Sequence, residues 1–151
     1  MLHPIITINK YKLFITFYLK EGLTLIKTVI IDDEVLAVYK LKHVLSGFEN
    51  IEVAAAFTSP AEARHQIKAI APDLVFMDIH MPELDGLVLA EYIHKTIPAA
   101  KIVFVTGYDE YEKQGMETGA IDYILKPVTR SRLEKIIQKI GLVPCQLLNC
   151  G

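Results

Sequence analysis

Four apolar runs of this chain end in polar residues with reactive side chains. Asp32 and Asp33, with Glu34 behind them, follow Val29-Ile30-Ile31. Asp78 follows Leu74-Val75-Phe76-Met77, Thr106 follows Ile102-Val103-Phe104-Val105, and Lys126-Pro127 closes the run from Ile121 to Leu125. Each has an ordinary explanation when taken alone. Asp32 or Asp33 can cap a helix, Asp78 before "MPELDG" can open a turn, Thr106 before Gly107 suits a loop, and Lys126 can be a solvated strand-end charge. Together they are three carboxylates, a hydroxyl and an ammonium. Gathered carboxylates raise one another's pKa values, which is unfavourable without a cation. A hard, oxygen-binding ion such as Mg²⁺ resolves the conflict, because it takes one or two carboxylates, keeps several waters and accepts phosphate oxygens. Beside it a carboxylate can be the covalent acceptor of a phosphoryl group. Metal, ammonium and hydroxyl would then neutralise the transferred oxygens.

The set exists only if the fold brings those run ends together. From residue 26, short apolar runs alternate with segments of helical period, and a further run lies at Val53-Ala54-Ala55-Ala56. Repeated strand–helix units build a parallel sheet. Four of the five runs lack polar alternation, as expected when helices cover both faces. Val38, Leu41 and Leu45 mark the stripe of the first helix, and Ala63, Ile67 and Ile70 that of the second. Gly86, Ala90, Ile93 and Ile97 mark the third, which Pro98 stops, and Leu133, Ile136, Ile137 and Ile140 mark the fifth. Ser59-Pro60-Ala61-Glu62 reads as a capping box with proline in the first turn. The fourth helix is poor. "DEYEKQGMETGA" holds Gly115 and Gly119 without a proper apolar stripe, and an interior glycine costs about 1 kcal/mol relative to alanine. It is either a moving part or a short helix with Gly119 as its C-cap. Right-handed crossovers cannot place all five helices on one face of an open sheet. The expected fold class is therefore α/β, a doubly wound five-stranded parallel sheet of order 2-1-3-4-5, with its ligands at the carboxyl ends of the strands.

The 151 residues, 52% of them hydrophobic, suffice for one domain with a real core. A net charge of −2 lacks the basic excess of a nucleic-acid groove, so no direct nucleic-acid binding is expected. Cys145 and Cys150 are too few and too peripheral for a disulfide framework, which points to a reducing cytoplasm. No second Cys or His pair offers zinc-ligand spacing. The apolar run Leu13–Leu19 is bracketed by Lys10, Lys12, Lys20 and Glu21, and it falls far short of the roughly 20 residues of a membrane span. No small-residue cleavage site marks a signal peptide. The expected organisation is an N-terminal extension over 1–25, a domain over 26–140 and a tail over 141–151. The extension is expected to be an added strand, a loosely attached segment or no part of the native product. Lys20-Glu21-Gly22 can be encoded by a purine-rich ribosome-binding sequence, with Leu23 or Leu25 read from an alternative start codon. The tail "GLVPCQLLNCG" is too short for a DNA-binding domain, so the domain either stands alone or is cut within a linker.

"IIDDE", "VFMDIHMPELDG", "VFVTGYDEY" and "AIDYILKPV", in that order, resemble the receiver domain of two-component response regulators over about residues 26–140. The resemblance implies a flavodoxin-like, CheY-like fold and a signalling role. The domain would catalyse only its own phosphorylation and slow dephosphorylation. It implies that Asp78 is the phospho-acceptor, Asp33 the direct Mg²⁺ ligand and Asp32 a ligand through water, with the backbone carbonyl of His80 completing the protein's share. Lys126 would pair the phosphoryl group and Pro127 would follow a cis bond. Thr106 would be the switch hydroxyl, and Tyr123 the aromatic that rotates inward behind it. The donor would be a phosphohistidine on a sensor histidine kinase, and His80 and Tyr108, flanking the site, would tune hydrolysis. The signal would reach the face made by the fourth helix, fifth strand and fifth helix, through which a homodimer can form. "GYDEY" and "DYILKP" stand closest to receivers with LytTR-type or SARP-like transcriptional outputs. A phosphatase of the haloacid-dehalogenase type needs two aspartates one residue apart after the first strand, which "IIDDEV" lacks. No glycine-rich phosphate loop follows that strand. A degenerate receiver acting only as an interaction module is the remaining alternative, and the intact acidic, hydroxyl and lysine set speaks against it.

Overall fold

The computed structural model describes residues 25–140. The expectations for residues 1–24 and 141–151, including both cysteines, lie outside the described residues. Five strands form one parallel sheet in the order β2-β1-β3-β4-β5. They are β1 (Ile26–Ile31), β2 (Ile51–Phe57), β3 (Leu74–Met77), β4 (Lys101–Thr106) and β5 (Asp122–Leu125). Between and after them run α1 (Val35–Leu45), α2 (Pro60–Ile70), α3 (Gly86–Thr96), α4 (Glu112–Glu117) and α5 (Arg130–Ile140). No helix among the described residues is long and apolar enough to cross a membrane.

Successive strand residues divide between two cores. Val29, Ile31, Val75, Met77, Ile102 and Phe104 face one, with Ala63 and Ile67 of α2 and Leu89, Ala90 and Ile93 of α3. Ile26, Ile30, Leu74, Phe76, Val103 and Val105 face the other, with Val38 and Leu41 of α1 and Leu133, Ile136 and Ile137 of α5. Because both faces of β1, β3 and β4 are covered, these strands read as continuous apolar runs. Edge strand β2 is only partly covered, and Glu52 and Ala54 are exposed.

Local chemistry sets the helix limits. Ser59 Oγ accepts the N–H of Glu62 at 3.2 Å and Pro60 sits in the first turn, while Ala71, at φ 49°, ends α2. The reciprocal half of the expected capping box does not form. Glu62 accepts instead from Gln66, and the Ser59 hydroxyl donates to Glu83 at 2.9 Å, tying α2 to the loop after β3. Asp85 Oδ1 accepts the Leu87 N–H at 2.7 Å and starts α3. In α3, Leu89 rather than Ile97 completes the buried stripe, because the helix stops at Thr96.

The fourth helix is the short form. A 3₁₀ turn over Asp109–Tyr111 leads into six residues of α4, and Gly119 follows at φ 90°. Gly115 is not simply a weak helix former. A Cβ there would lie 2.9 Å from the Phe104 ring and 3.4 Å from that of Tyr123, so its absence lets α4 lie flat on the sheet.

Gly86 has the same role nearer the crevice, where an added Cβ would collide with the Asp78 carbonyl oxygen and come within 2.8 Å of Ile79 Cα. Both obstacles are backbone and cannot rotate away. Gly86→Ala should therefore destabilise the fold by about 3 kcal/mol, at the upper end of overpacking, measured as a lowered urea midpoint with unchanged m-value. Wild-type stability in this variant would show that the α3 start does not press on Asp78.

Candidate functional site

Strand register assembles the site. Ile31 lies opposite Met77, so the next residues, Asp32 and Asp78, leave adjacent strands side by side. The Asp78 N–H donates to the Ile31 carbonyl at 2.9 Å, and the Asp32 N–H to the Phe57 carbonyl at 3.0 Å. Thr106 lies opposite Leu125, and the Lys126 N–H donates to the Thr106 carbonyl at 2.9 Å. The polar residues that end β1, β3, β4 and β5 thus lie together at one end of the sheet, where Asp32, Asp78 and Lys126 line one crevice.

Lys126 Nζ bridges the carboxylates, 2.8 Å from Asp32 Oδ2 and 3.1 Å from Asp78 Oδ2. Glu34 lies 3.6 Å away but is largely exposed, so its attraction is weak. Asp32 Oδ1 accepts the Glu34 N–H, and Asp78 Oδ1 accepts the N–H groups of Ile79 at 2.7 Å and His80 at 3.4 Å. Asp32 and Asp78 are buried and Asp33 is half-buried. Burial raises the Asp32 pKa above its ordinary value, against the hydrogen bonds from Lys126 and the Glu34 N–H, which lower it. For Lys126, burial opposes the charge, but its bonds to Asp32 and Asp78 outweigh burial and raise its pKa.

Oxygens of Asp32, Asp33 and Asp78 all lie within 4.8 Å of one another. Three carboxylates against one ammonium leave two negative charges uncompensated, which suits a hard divalent cation with oxygen ligands. Thr106 is buried and its hydroxyl has no partner among the described residues. An unpaired buried hydroxyl costs about 1–3 kcal/mol, so it suits an acceptor arriving from outside the chain. Tyr123 is buried, with its ring beside Gly115, and its hydroxyl donates to the Tyr108 carbonyl. The Lys126–Pro127 peptide bond is cis. A cavity of about 320 Å³, lined by Ile30, Leu41, Phe76, Val105 and Val128, opens between α1 and the loop after β5 beside Asp32 and Lys126.

His80 is exposed, yet its ring stands edge-on against Tyr108 and Tyr111. Tyr111 escaped the sequence reading, because nothing in "YDEYEK" separates a ring facing the crevice from one facing solvent.

The chain matches the family model "Response regulator receiver domain" over residues 28–138. An "Uncharacterized response regulatory protein" of Vibrio cholerae is 38% identical over 117 residues, covering 77% of this chain and 48% of the relative. "Sensory transduction protein LytT" of Bacillus cereus is 33% identical over 115 residues, covering 76% and 47%. The chain thus spans about half the length of these curated relatives. Among solved structures, the response regulatory domain of protein mrkE from Klebsiella pneumoniae superposes with TM-score 0.70 at 32% identity, covering 76% of this chain and 94% of that one.

The crevice also sets an alkaline limit. Burial, then the carboxylates of Glu112 and Asp109, push the Tyr123 hydroxyl up from 10.0 to about 12. Above pH 10 the unfolded chain releases this proton while the folded chain holds it. Stability is therefore full below pH 10 and lost as pH rises towards 12. Lys126 acts with the same sign from its ordinary value of 10.5. Between pH 9 and pH 11, urea unfolding should lose about 1 kcal/mol through Tyr123. Tyr123→Phe should flatten that part of the slope and leave the Lys126 part. An unchanged slope in the variant would contradict the assignment.

Proposed function

Since this chain belongs to the response-regulator receiver family, a signalling family rather than a classical enzyme class, we propose that it is a phosphorylation-driven switch with Asp78 as the acceptor. One observation carries this reading above the others. Lys126 holds Asp78 and Asp32 together at the strand ends while the Thr106 hydroxyl, at the end of the neighbouring strand β4, is buried without a partner among the described residues. A phosphoryl group on Asp78 would offer the Thr106 hydroxyl an acceptor and Lys126 further anionic oxygens.

Asp32, Asp33 and Asp78, with the His80 carbonyl, would hold Mg²⁺. When bound, that ion neutralises charge on the phosphoryl oxygens. Asp78 supplies the attacking carboxylate oxygen. Its bond to phosphorus forms as the phosphorus–nitrogen bond of a sensor kinase's phosphohistidine breaks, and the released imidazole takes a proton. Lys126 moves its charge-assisted bond from carboxylate to phosphoryl oxygen, and Thr106 donates its hydroxyl. Tyr123 and the short α4 carry the change to the α4-β5-α5 face. Of these elements, α4 exposes Met116 and β5 exposes Leu125, while Glu112 and Glu117 on α4 and Lys135 and Lys139 on α5 are exposed charges of opposite sign, a composition that supports a homodimer there. A cytoplasmic location and control of transcription fit the same reading.

Incubation with Mg²⁺ and acetyl phosphate should give an acid-stable, base-labile phosphoryl adduct by mass spectrometry. Asp78→Asn and excess chelator should each abolish it. No adduct on wild type, or an undiminished one on Asp78→Asn, would overturn the acceptor role and leave the interaction-module reading.

A further inference from the structure

Three aromatic rings meet on the rim of the crevice outside the acidic cluster. The His80 imidazole lies 4.3 Å from the Tyr111 ring at 77° and 5.3 Å from the Tyr108 ring at 86°. Both are edge-to-face arrangements, the favoured geometry of neighbouring aromatic rings. The two tyrosines bracket the entry to α4. Tyr108 precedes the 3₁₀ turn, and Tyr111 is its last residue, directly before Glu112. Tyr108 is held a second time, because its carbonyl accepts the Tyr123 hydroxyl. A single exposed side chain from the loop after β3 therefore touches both ends of the segment that starts α4.

The backbone beneath that side chain answers to Asp78. The Asp78 carboxylate accepts the N–H groups of Ile79 and His80 through Oδ1. The bond to Ile79 is short, at 2.7 Å, and strengthened by the charge of the acceptor, while that to His80, at 3.4 Å, is long. Esterification of either oxygen removes the carboxylate charge, so the bonds to Ile79 and His80 weaken whichever oxygen reacts. The imidazole then loses its fixed position against the tyrosines.

We propose that His80 and Tyr111 form a latch between the phospho-acceptor loop and α4. They are positioning residues through which the state of Asp78 reaches α4, in parallel with Thr106 and Tyr123. This rests on the reading of Asp78 as acceptor and adds a second route to its output. The ring, not the hydroxyl, of Tyr111 makes the contact; because that ring also packs against the core, it is the His80 variant that separates the latch from a structural role.

The test follows α4 backbone amide shifts by NMR in the 151-residue chain, before and after loading with Mg²⁺ and beryllofluoride, a phosphoryl mimic. Tyr111→Ala should still be labelled at Asp78 by acetyl phosphate within about twofold of wild type, while the loading-induced shift of Glu112–Glu117 falls by about half or more. Tyr111→Phe keeps the ring and should respond as wild type. His80→Ala, at an exposed position, should reproduce the loss without unfolding the chain. A full α4 response in both alanine variants, or an equal loss in Tyr111→Phe, would overturn the latch. Absence of labelling on wild type would instead overturn the acceptor reading, and the latch with it.

Discussion

Everything in the crevice depends on β1 and β3 being hydrogen-bonded neighbours although α1, β2 and α2 separate them in sequence. The order β2-β1-β3 makes their junction the switch point of the doubly wound sheet. The register Ile31 opposite Met77 then leaves Asp32 and Asp78 side by side. A slip of one residue would turn both carboxylates towards the helical layers. That slip is opposed by the full burial of Ile30, Ile31, Phe76 and Met77. Core packing therefore sets the backbone positions of the site, and the bonds of Lys126 and the local N–H groups orient the carboxylates upon them.

The same packing offsets an unfavourable arrangement. Lys126 pairs two buried carboxylates, but Asp32 still has a raised pKa because burial outweighs the pairing. The unpartnered Thr106 hydroxyl adds a penalty of about 1–3 kcal/mol. Each fully buried Ile or Phe contributes about 1.5–3 kcal/mol, so one or two of the many core side chains cover such a term. A chain selected only for stability would replace Thr106 with valine and one Asp with a neutral residue. Keeping both fits the proposed phosphoryl and cation site.

The elements that point towards the site were legible because burial on two faces leaves an unmistakable trace. Uninterrupted apolar runs gave the strands, and the residue after each run gave Asp32, Asp78, Thr106 and Lys126. The stripe Leu133-Ile136-Ile137 gave α5 for the same reason. Features set by a single contact were illegible. Glu62 at the third helical position suits a reciprocal cap, but Gln66 one turn on competes for its carboxylate and wins. Gly115 looks like a defect by helix propensity, yet it is a contact surface for Phe104, a partner far away in sequence. Tyr111 could be told from an ordinary surface aromatic only once the loop carrying His80 was in place.

These illegible contacts converge on α4, which gives the region its mechanical character. Six helical residues are too few to be stable alone, since isolated helices are marginal below about 12–15 residues. Its shape must come from what it touches: Phe104 and Tyr123 beneath Gly115, and the 3₁₀ turn whose Tyr111 meets His80. All of these supports stand on strands or loops that end at the acidic crevice. A helix with little stability of its own and supports that all stem from one site suits the proposed switching role. By contrast α2, α3 and α5, each of 11 residues with a fully buried stripe, are held along their length and have no comparable freedom. The region suited to that proposed role is thus selected by the distribution of burial along the chain.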